Sequence, residues 1–182
     1  NTVSPMIISP IELGANIVIH SLTKFINGAS DAVGGVVCAD EEFITAMLDV
    51  NDGAGMLLGP VMDPIRAASI LKNMRTLHIR MKQHSHNAQF ISEHFLKEGI
   101  KVYYPGIESH TQFLLMKKCF NEEFGYGGML VLDVKTKENA YAFMEAMQND
   151  NVGYLAVSLG FYKTLFSAPG SSTSSEIPEE EQ

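Results

Sequence analysis

Short apolar runs alternate with polar and glycine-containing stretches along the chain, and this pattern predicts strands and amphipathic helices in turn. The run 17–20 is compact and β-branched, as in a buried parallel strand, and the run 33–39 indicates a second buried strand. In the second half the predicted elements alternate regularly: helix 112–120, strand 128–134, helix 137–147 and strand 154–159. This alternation is typical of an α/β protein.

The most regular helical pattern lies between residues 63 and 97. Asp63 followed by Pro64 predicts a helix start, with the Asp side chain as the cap and proline in the first turn. A second helix is predicted over 84–97, ending at Gly99. Apolar residues in this region recur at spacings of four, three and four, which places them on one helical face: Ile70, Met74, Leu77 and Met81.

Composition and charge narrow the class of protein. The 182-residue chain is 46% hydrophobic and carries 13 basic against 21 acidic residues, a net charge of −8. Because phosphate binding needs clustered Lys and Arg, this balance disfavours nucleic-acid and anionic-membrane partners. No apolar run approaches the roughly 20 residues of a membrane helix, so we expect a soluble globular protein. Cys38 and Cys119 are the two cysteines, and so few thiols suit the reducing cytoplasm.

Candidate chemistry lies at the end of the first predicted strand, where Ser21, Thr23 and Lys24 follow within four residues. In parallel sheets, ligands bind beyond the carboxyl ends of the strands. Two hydroxyls suit phosphate oxygens and the lysine amine can form an imine, so we predict a site for a phosphorylated aldehyde cofactor. The alternative interpretation is a lysine that merely extends from a strand end toward solvent.

Other motifs are weaker. Ser21 and Lys24 match the Ser-x-x-Lys signature of penicillin-recognising serine enzymes, but the partner motifs at 30–32 and 163–165 each differ by one residue. The six histidines lack the spacing of metal ligands, so we expect no metal site. The glycine-rich stretch 125–128 lacks the Gly-x-Gly-x-x-Gly order of a dinucleotide-binding loop.

Segment 13–28, with Ser21-Leu22-Thr23-Lys24 inside it, closely resembles the lysine signature of the Cys/Met-metabolism family of pyridoxal-phosphate (PLP) enzymes. The resemblance continues in order along nearly the whole chain, in five further segments: 59–64, 74–81, 104–106, 124–129 and 155–160. It implies the PLP-dependent transferase fold, aspartate aminotransferase-like and of fold type I. On this basis residues 1–60 are the C-terminal part of the large PLP-binding domain. Residues 61–182 are then a connecting helix and a small C-terminal domain without its final strand and helix.

The resemblance also implies roles for individual residues. Lys24 corresponds to the lysine that binds PLP through an imine and later moves protons, and Ser21 and Thr23 correspond to hydroxyls at the cofactor phosphate. Ser158 corresponds to a serine beside the substrate carboxylate and the lysine, and Thr173 to a threonine near the carboxylate pocket. PLP stabilises a carbanion at Cα and then at Cβ, so that a γ-substituent can leave.

The implied activity is that of a lyase or transferase acting on a small sulfur amino acid, in a cytoplasmic homotetramer of full-length chains. We favour α,γ-elimination of methionine to a 2-keto acid, ammonia and a thiol. Cystathionine γ-synthase, cystathionine lyase or O-acylhomoserine sulfhydrylase activity stays open as the alternative. The family's pyridine-binding aspartate and substrate-binding arginine are expected outside this chain, so we expect the 182 residues alone to be nearly inactive. A hypothesis of another class is a truncated, non-catalytic domain that contacts other subunits.

Overall fold

The structure, a computed structural model, describes residues 1–169. It contains both helices and short strands, which alternate from residue 101 to residue 155, and this confirms the predicted α/β class. The helices are α1 (Glu41–Met47), α2 (Ala54–Leu58), α3 (Pro64–Met74), α4 (Leu77–Lys97), α5 (Phe113–Cys119) and α6 (Lys137–Asn149). The strands are β1 (Val18–Ser21), β2 (Gly35–Cys38), β3 (Lys101–Tyr103), β4 (Val131–Asp133), β5 (Tyr154–Leu155) and β6 (Leu165–Phe166). A 3₁₀ turn at Pro10–Leu13 and a π-helical turn at Leu22–Ile26 flank β1.

Strands β1 and β2 form an antiparallel pair, in register from Val18 opposite Cys38 to Ser21 opposite Gly35. The predicted strand at 17–20 therefore exists, but its predicted parallel pairing is wrong in the part of the chain described. An apolar β-branched run fits either orientation, because the partner and the connection set the direction of pairing. Side chains of β1 alternate between faces, so His20 is buried while its neighbour Ile19 is 62% exposed.

Helix ends follow local capping chemistry. The Asp63 carboxylate accepts a hydrogen bond from the Arg66 backbone N–H at 3.0 Å, with Pro64 in the first turn, which confirms the predicted start of α3. Thr136 caps α6 in the same way, accepting from the backbone N–H of Asn139 at 3.2 Å. These caps satisfy amide groups that the first turn of a helix leaves without a partner.

The break between the two long helices lies earlier than predicted. Helix α3 ends at Met74 and α4 begins at Leu77, so the expected start of the second helix at 84 is wrong. Leu77 and Met81 still lie in the core, whereas Met74, at the break, is 43% exposed. An apolar spacing can continue across a two-residue interruption, because the chain re-enters the helix with nearly the same face toward the core.

The second half of the described chain is built from short elements. Strands β3 and β4 pair antiparallel and β5 and β6 pair parallel, with α5 and α6 at the predicted positions. Helix α2 and strand β6 were not predicted, and β5 covers only two of the six residues expected in a strand. Within residues 1–169, no helix combines the length and apolar character needed to cross a membrane.

Two clusters of buried side chains form the core. The larger one joins residues before and after position 60: Ile7, Phe25, Ile26, Ala32, Ile70, Leu77, Met81 and Phe124. The smaller one lies around β3 and the loop that follows: Ala88, Val102, Tyr104 and Ile107. Through the larger cluster, α3 and α4 pack directly on the π-helical turn. The division into domains at 1–60 and 61–182 stays a prediction.

Candidate active site

Lys24 lies in the π-helical turn that directly follows β1. Its backbone departs from helical geometry, at φ −89° and ψ −128°, although the turn continues on both sides of it. The carbonyl of Lys24 accepts a hydrogen bond from the N–H of Gly28 at 2.8 Å, and the carbonyl of Leu22 accepts one from Asn27 at 2.9 Å. The lysine thus projects from a short, closed and irregular turn.

Thr23 joins this turn to the strand beside it. Its hydroxyl accepts a hydrogen bond from the Gly34 N–H at 2.9 Å and donates one to the Gly34 carbonyl at 3.2 Å. The backbone N–H of Thr23 also donates to the Gly34 carbonyl at 3.2 Å. The one hydrogen atom of the Thr23 hydroxyl is therefore already used in a hydrogen bond to the Gly34 carbonyl.

The amine of Lys24 meets a serine from the far end of the described chain. Lys24 Nζ donates to Ser158 Oγ at 3.3 Å, across a separation of 134 residues. Both side chains are partly buried, and no carboxylate of residues 1–169 pairs with the amine. The structure thus brings together two of the residues that the resemblance singled out.

The segment that carries Ser158 packs closely on the lysine turn. Gly160, at φ +85°, lies so near the backbone of Lys24 and Phe25 that a Cβ atom there would overlap both. Two residues further, the N–H of Tyr162 donates to the Gly28 carbonyl at 2.9 Å. Glycine is required at position 160 both for its positive φ and for this close approach.

The remaining predicted residues have simpler surroundings. Ser21 is half-buried at the end of β1, and its hydroxyl makes no hydrogen bond to any other described residue, so it is free to donate to a ligand. Thr173 lies outside the described residues. The structure therefore brings Ser21, Thr23, Lys24 and Ser158 into one region. Thr23, Lys24 and Ser158 make side-chain hydrogen bonds there, whereas Ser21 makes none to any other described residue.

Sequence reasoning missed a basic residue that contacts the lysine turn from α4. The Arg80 guanidinium donates to the Phe25 carbonyl at 2.7 Å and to the Ile26 carbonyl at 3.0 Å. One signal was present in the sequence: Arg80 lies three residues after Leu77, next to the apolar face of the helix, where a charged side chain is unusual.

Two histidines flank this region, His20, which is buried, and His84, which is partly buried. Burial lowers the pKa of His84 below its ordinary 6.5, and the positive charge of Arg80 lowers it further. Burial also lowers the pKa of His20 from the same value. Within residues 1–169, His20 Nδ1 and His84 Nε2 have no hydrogen-bond partner, and the lowered pKa of each ring favours its neutral form.

Known proteins resemble this chain along its whole length. A family model described as "Cys/Met metabolism PLP-dependent enzyme" matches residues 1–182. Methionine gamma-lyase of Arabidopsis thaliana is 46% identical over 178 residues, covering 97% of this chain and 40% of that protein. Cystathionine gamma-lyase of Dictyostelium discoideum is 36% identical over 184 residues, covering 98% of this chain and 45% of that protein.

Solved structures agree with these matches. Cystathionine gamma synthase from Xanthomonas oryzae pv. oryzae, in complex with aminoacrylate and cysteine, has a TM-score of 0.86 at 32% identity. The match covers 97% of this chain and 44% of that one, so the chain spans less than half the length of its relatives. The fold is therefore the expected fold type I of PLP-dependent enzymes, seen in part. By family match, identity and fold together, the chain belongs to the Cys/Met-metabolism PLP-dependent enzymes.

Proposed function

We propose that the protein containing this chain is a PLP-dependent lyase that converts methionine to a 2-keto acid, ammonia and a thiol by α,γ-elimination. The observation that carries the proposal is the contact between the Lys24 amine and the Ser158 hydroxyl at 3.3 Å, at the end of an irregular turn. The 46% identity to a methionine gamma-lyase supports this substrate over others. We propose residues 1–60 and 61–182 as the two domain parts, and a cytoplasmic homotetramer as the full assembly.

The side chains present fit PLP, with one change in their roles. Lys24 offers a primary amine whose one hydrogen bond among residues 1–169 is to a neutral hydroxyl, and such an amine can react with an aldehyde. Ser21 offers a hydroxyl that makes no hydrogen bond to any other residue of 1–169, so its proton is available to the phosphate. The Thr23 hydroxyl gives its proton to the Gly34 carbonyl, so we propose that it supports the turn and contacts phosphate only after that bond is exchanged.

When bound, PLP supplies an electron sink for charge that develops on the substrate. Lys24 supplies the amine that holds the cofactor and, once free, the base and acid for proton transfers at the substrate carbon atoms. Ser158 accepts a hydrogen bond from this amine and so orients it. We propose that Ser158 and Thr173 also border the site of the substrate carboxylate.

Cystathionine chemistry is the second candidate activity. The Dictyostelium discoideum cystathionine gamma-lyase is 36% identical to the chain, and the Xanthomonas oryzae structure is a cystathionine gamma synthase. The same Lys24 and Ser158 would serve elimination or replacement. Rates with methionine, cystathionine and an O-acylhomoserine, measured side by side on the full-length protein, separate the candidates.

The cofactor assignment is tested by trapping. Full-length protein is incubated with PLP, reduced with borohydride, digested and mapped by mass spectrometry. We expect the phosphopyridoxyl group on Lys24, its loss in Lys24→Arg, and its retention in Lys72→Arg, an exposed control on α3. Label at other lysines, or none, would contradict the enzyme proposal and favour the hypothesis of a non-catalytic domain that contacts other subunits.

A further inference from the structure

Arg80 is unusually well connected for a partly buried charge. Its guanidinium donates four hydrogen bonds: to the carbonyls of Phe25 at 2.7 Å, Ile26 at 3.0 Å and Asn73 at 3.2 Å, and to Thr76 Oγ1 at 3.1 Å. No carboxylate of residues 1–169 forms an ion pair with it. Burial lowers the pKa of Arg80, but a guanidinium stays protonated in proteins. A charge held there by neutral acceptors alone is costly, which indicates a specific role.

The acceptors of Arg80 explain what that role is. Phe25 and Ile26 directly follow Lys24 and end the π-helical turn, where carbonyl groups have no partner in the turn itself. Asn73 and Thr76 lie at the break between α3 and α4. One planar side chain therefore ties the end of the lysine turn to the junction of the two long helices.

A chain of amides supports the same connection. Asn73 Nδ2 donates to Asn27 Oδ1 at 2.8 Å, and Asn27 Nδ2 donates to Asp31 Oδ1 at 2.8 Å. Asn27 is 1% exposed. Gly28 leaves room for the guanidinium, because a Cβ atom there would overlap Arg80. Asn27 and Gly28, the two residues after the turn, thus accommodate side chains from α3 and α4.

We propose that Arg80 is a positioning residue for Lys24: by holding the Phe25 and Ile26 carbonyls it keeps the lysine turn in the irregular geometry that directs the amine to Ser158. The proposal rests on Lys24 being the cofactor-binding lysine. Arg80 acts through the backbone and touches neither cofactor nor substrate. The fork geometry of the guanidinium is essential, because one Lys ammonium cannot reach four acceptors in the same arrangement.

The test uses the full-length protein and measures how fast PLP attaches to Lys24, by borohydride quenching and peptide mass, in wild type, Arg80→Ala and Arg80→Lys. We expect attachment to slow by about tenfold or more in both variants, because bonds to a charged donor are lost. Hydrogen exchange at the amides of Asn27 and Gly28 should rise in parallel. Guanidinium ion should restore part of the rate in Arg80→Ala, and ammonium at equal ionic strength should not. Arg66→Ala, which removes an exposed basic residue from α3, should behave as wild type.

The outcomes separate this inference from the proposed function. If wild-type protein carries no label on Lys24, the proposed function fails. If wild type is labelled and a folded Arg80→Ala is labelled at the same rate, only the positioning role fails. Should Arg80→Ala not fold, Thr76→Val decides, since Thr76 is exposed and its loss frees one guanidinium nitrogen. We expect attachment about two- to threefold slower there, and an unchanged rate would overturn the role.

Discussion

The environment of single side chains around Lys24 differs from what residue types alone indicate. Thr23 and Ser21 are both hydroxyl residues close to the lysine, yet the Thr23 hydroxyl makes two bonds to Gly34, whereas the Ser21 hydroxyl makes none to any other residue of 1–169. A short hydroxyl within reach of a backbone N–H and carbonyl bonds to them readily, because both groups need partners when partly buried. We therefore propose separate roles for the two residues, with Thr23 supporting the turn and Ser21 available to a ligand.

Replacing Thr23 with valine should expose that difference. The variant keeps the shape but removes both hydroxyl bonds to Gly34, and we expect the free energy of unfolding to fall by about 1–3 kcal/mol because the Gly34 N–H loses its partner. Urea denaturation measures the change. Thr23→Ser retains the hydroxyl and should be close to wild type. An unfolding energy unchanged in Thr23→Val would show that the bonds to Gly34 contribute nothing.

The partly buried His84 should make the free energy of unfolding depend on pH. Its pKa is lowered from 6.5 by burial and then by the charge of Arg80, so the folded chain binds a proton less readily than the unfolded chain. The unfolded state then holds more protons between the folded pKa and 6.5, and stability falls as pH decreases through that window. Urea midpoints at about pH 7.5 and about pH 5.5 measure the fall.

Matched variants isolate the contribution of His84. His84→Phe keeps a ring against Phe25, whose centroid lies 5.6 Å away, and should reduce the loss of stability at low pH. His86→Phe, an exposed position on the same helix, should leave it unchanged. Because His20 has a lowered pKa too, some pH dependence should remain in His84→Phe. Equal pH dependence in His84→Phe and wild type would contradict the assignment.

At the scale of elements, the site depends on the packing of segment 158–162 against the lysine turn. Gly160 lies against the backbone of Lys24 and Phe25, while Tyr162 bonds to Gly28. These contacts leave little freedom in where Ser158 can lie. The distance from the Ser158 hydroxyl to the lysine amine is therefore set by the packing of segment 158–162 on the lysine turn.

Gly160→Ala tests this packing. The added methyl group has no room and the residue has φ +85°, so we expect the segment to move away and Ser158 to lose its contact with Lys24. The cost to stability should be about 1–3 kcal/mol, as for other strained backbone positions. Gly99→Ala is the matched control, since Gly99 also has positive φ, at +78°, but open space around it. The rate of PLP attachment to Lys24 measures the effect, and it should be slower in Gly160→Ala than in Gly99→Ala. If both variants slow attachment equally, close packing at position 160 is not the cause.

Local patterns predicted most of the elements but not their pairing. The caps at Asp63 and Thr136 act within four residues, so a sequence reveals helix starts well. The antiparallel pairing of β1 and the early break after Met74 depend on contacts far along the chain, which apolar spacing does not encode. Lys24 was proposed from its neighbours and Ser158 only through the family resemblance, whereas Arg80 left one signal in the sequence, its place next to the apolar face of α4, that was not used.

At the scale of the whole molecule, a large apolar surface is left uncovered. Along the stretch from α2 to the start of α3, Leu58 is 82% exposed, Val61 85% and Ile65 82%. Exposed apolar residues in such density are typical of surfaces that contact other protein. Relatives are more than twice as long as this chain, so the proposed full-length assembly offers much additional protein to cover them.

We expect the 182-residue chain by itself to self-associate through this stretch. Leu58→Lys with Val61→Lys should weaken association about tenfold or more, because charges replace the apolar contacts. Light scattering across a dilution series measures the effect. Ala67→Lys with Ala68→Lys adds the same charge at exposed positions of α3 and should change association much less. Equal weakening in both pairs would identify net charge, and not this stretch, as the cause.

The 134-residue separation between Lys24 and Ser158 has a consequence for synthesis of the protein. A ribosome that adds about 5–20 residues per second needs roughly 7–27 s to proceed from the lysine to the serine. During that interval the nascent chain already carries the Lys24 amine but not the Ser158 hydroxyl that contacts it in the folded chain. The partner of the lysine therefore arrives late in translation, after α3 and α4 have left the ribosome, and any ribosome that stops before residue 158 releases a lysine without it.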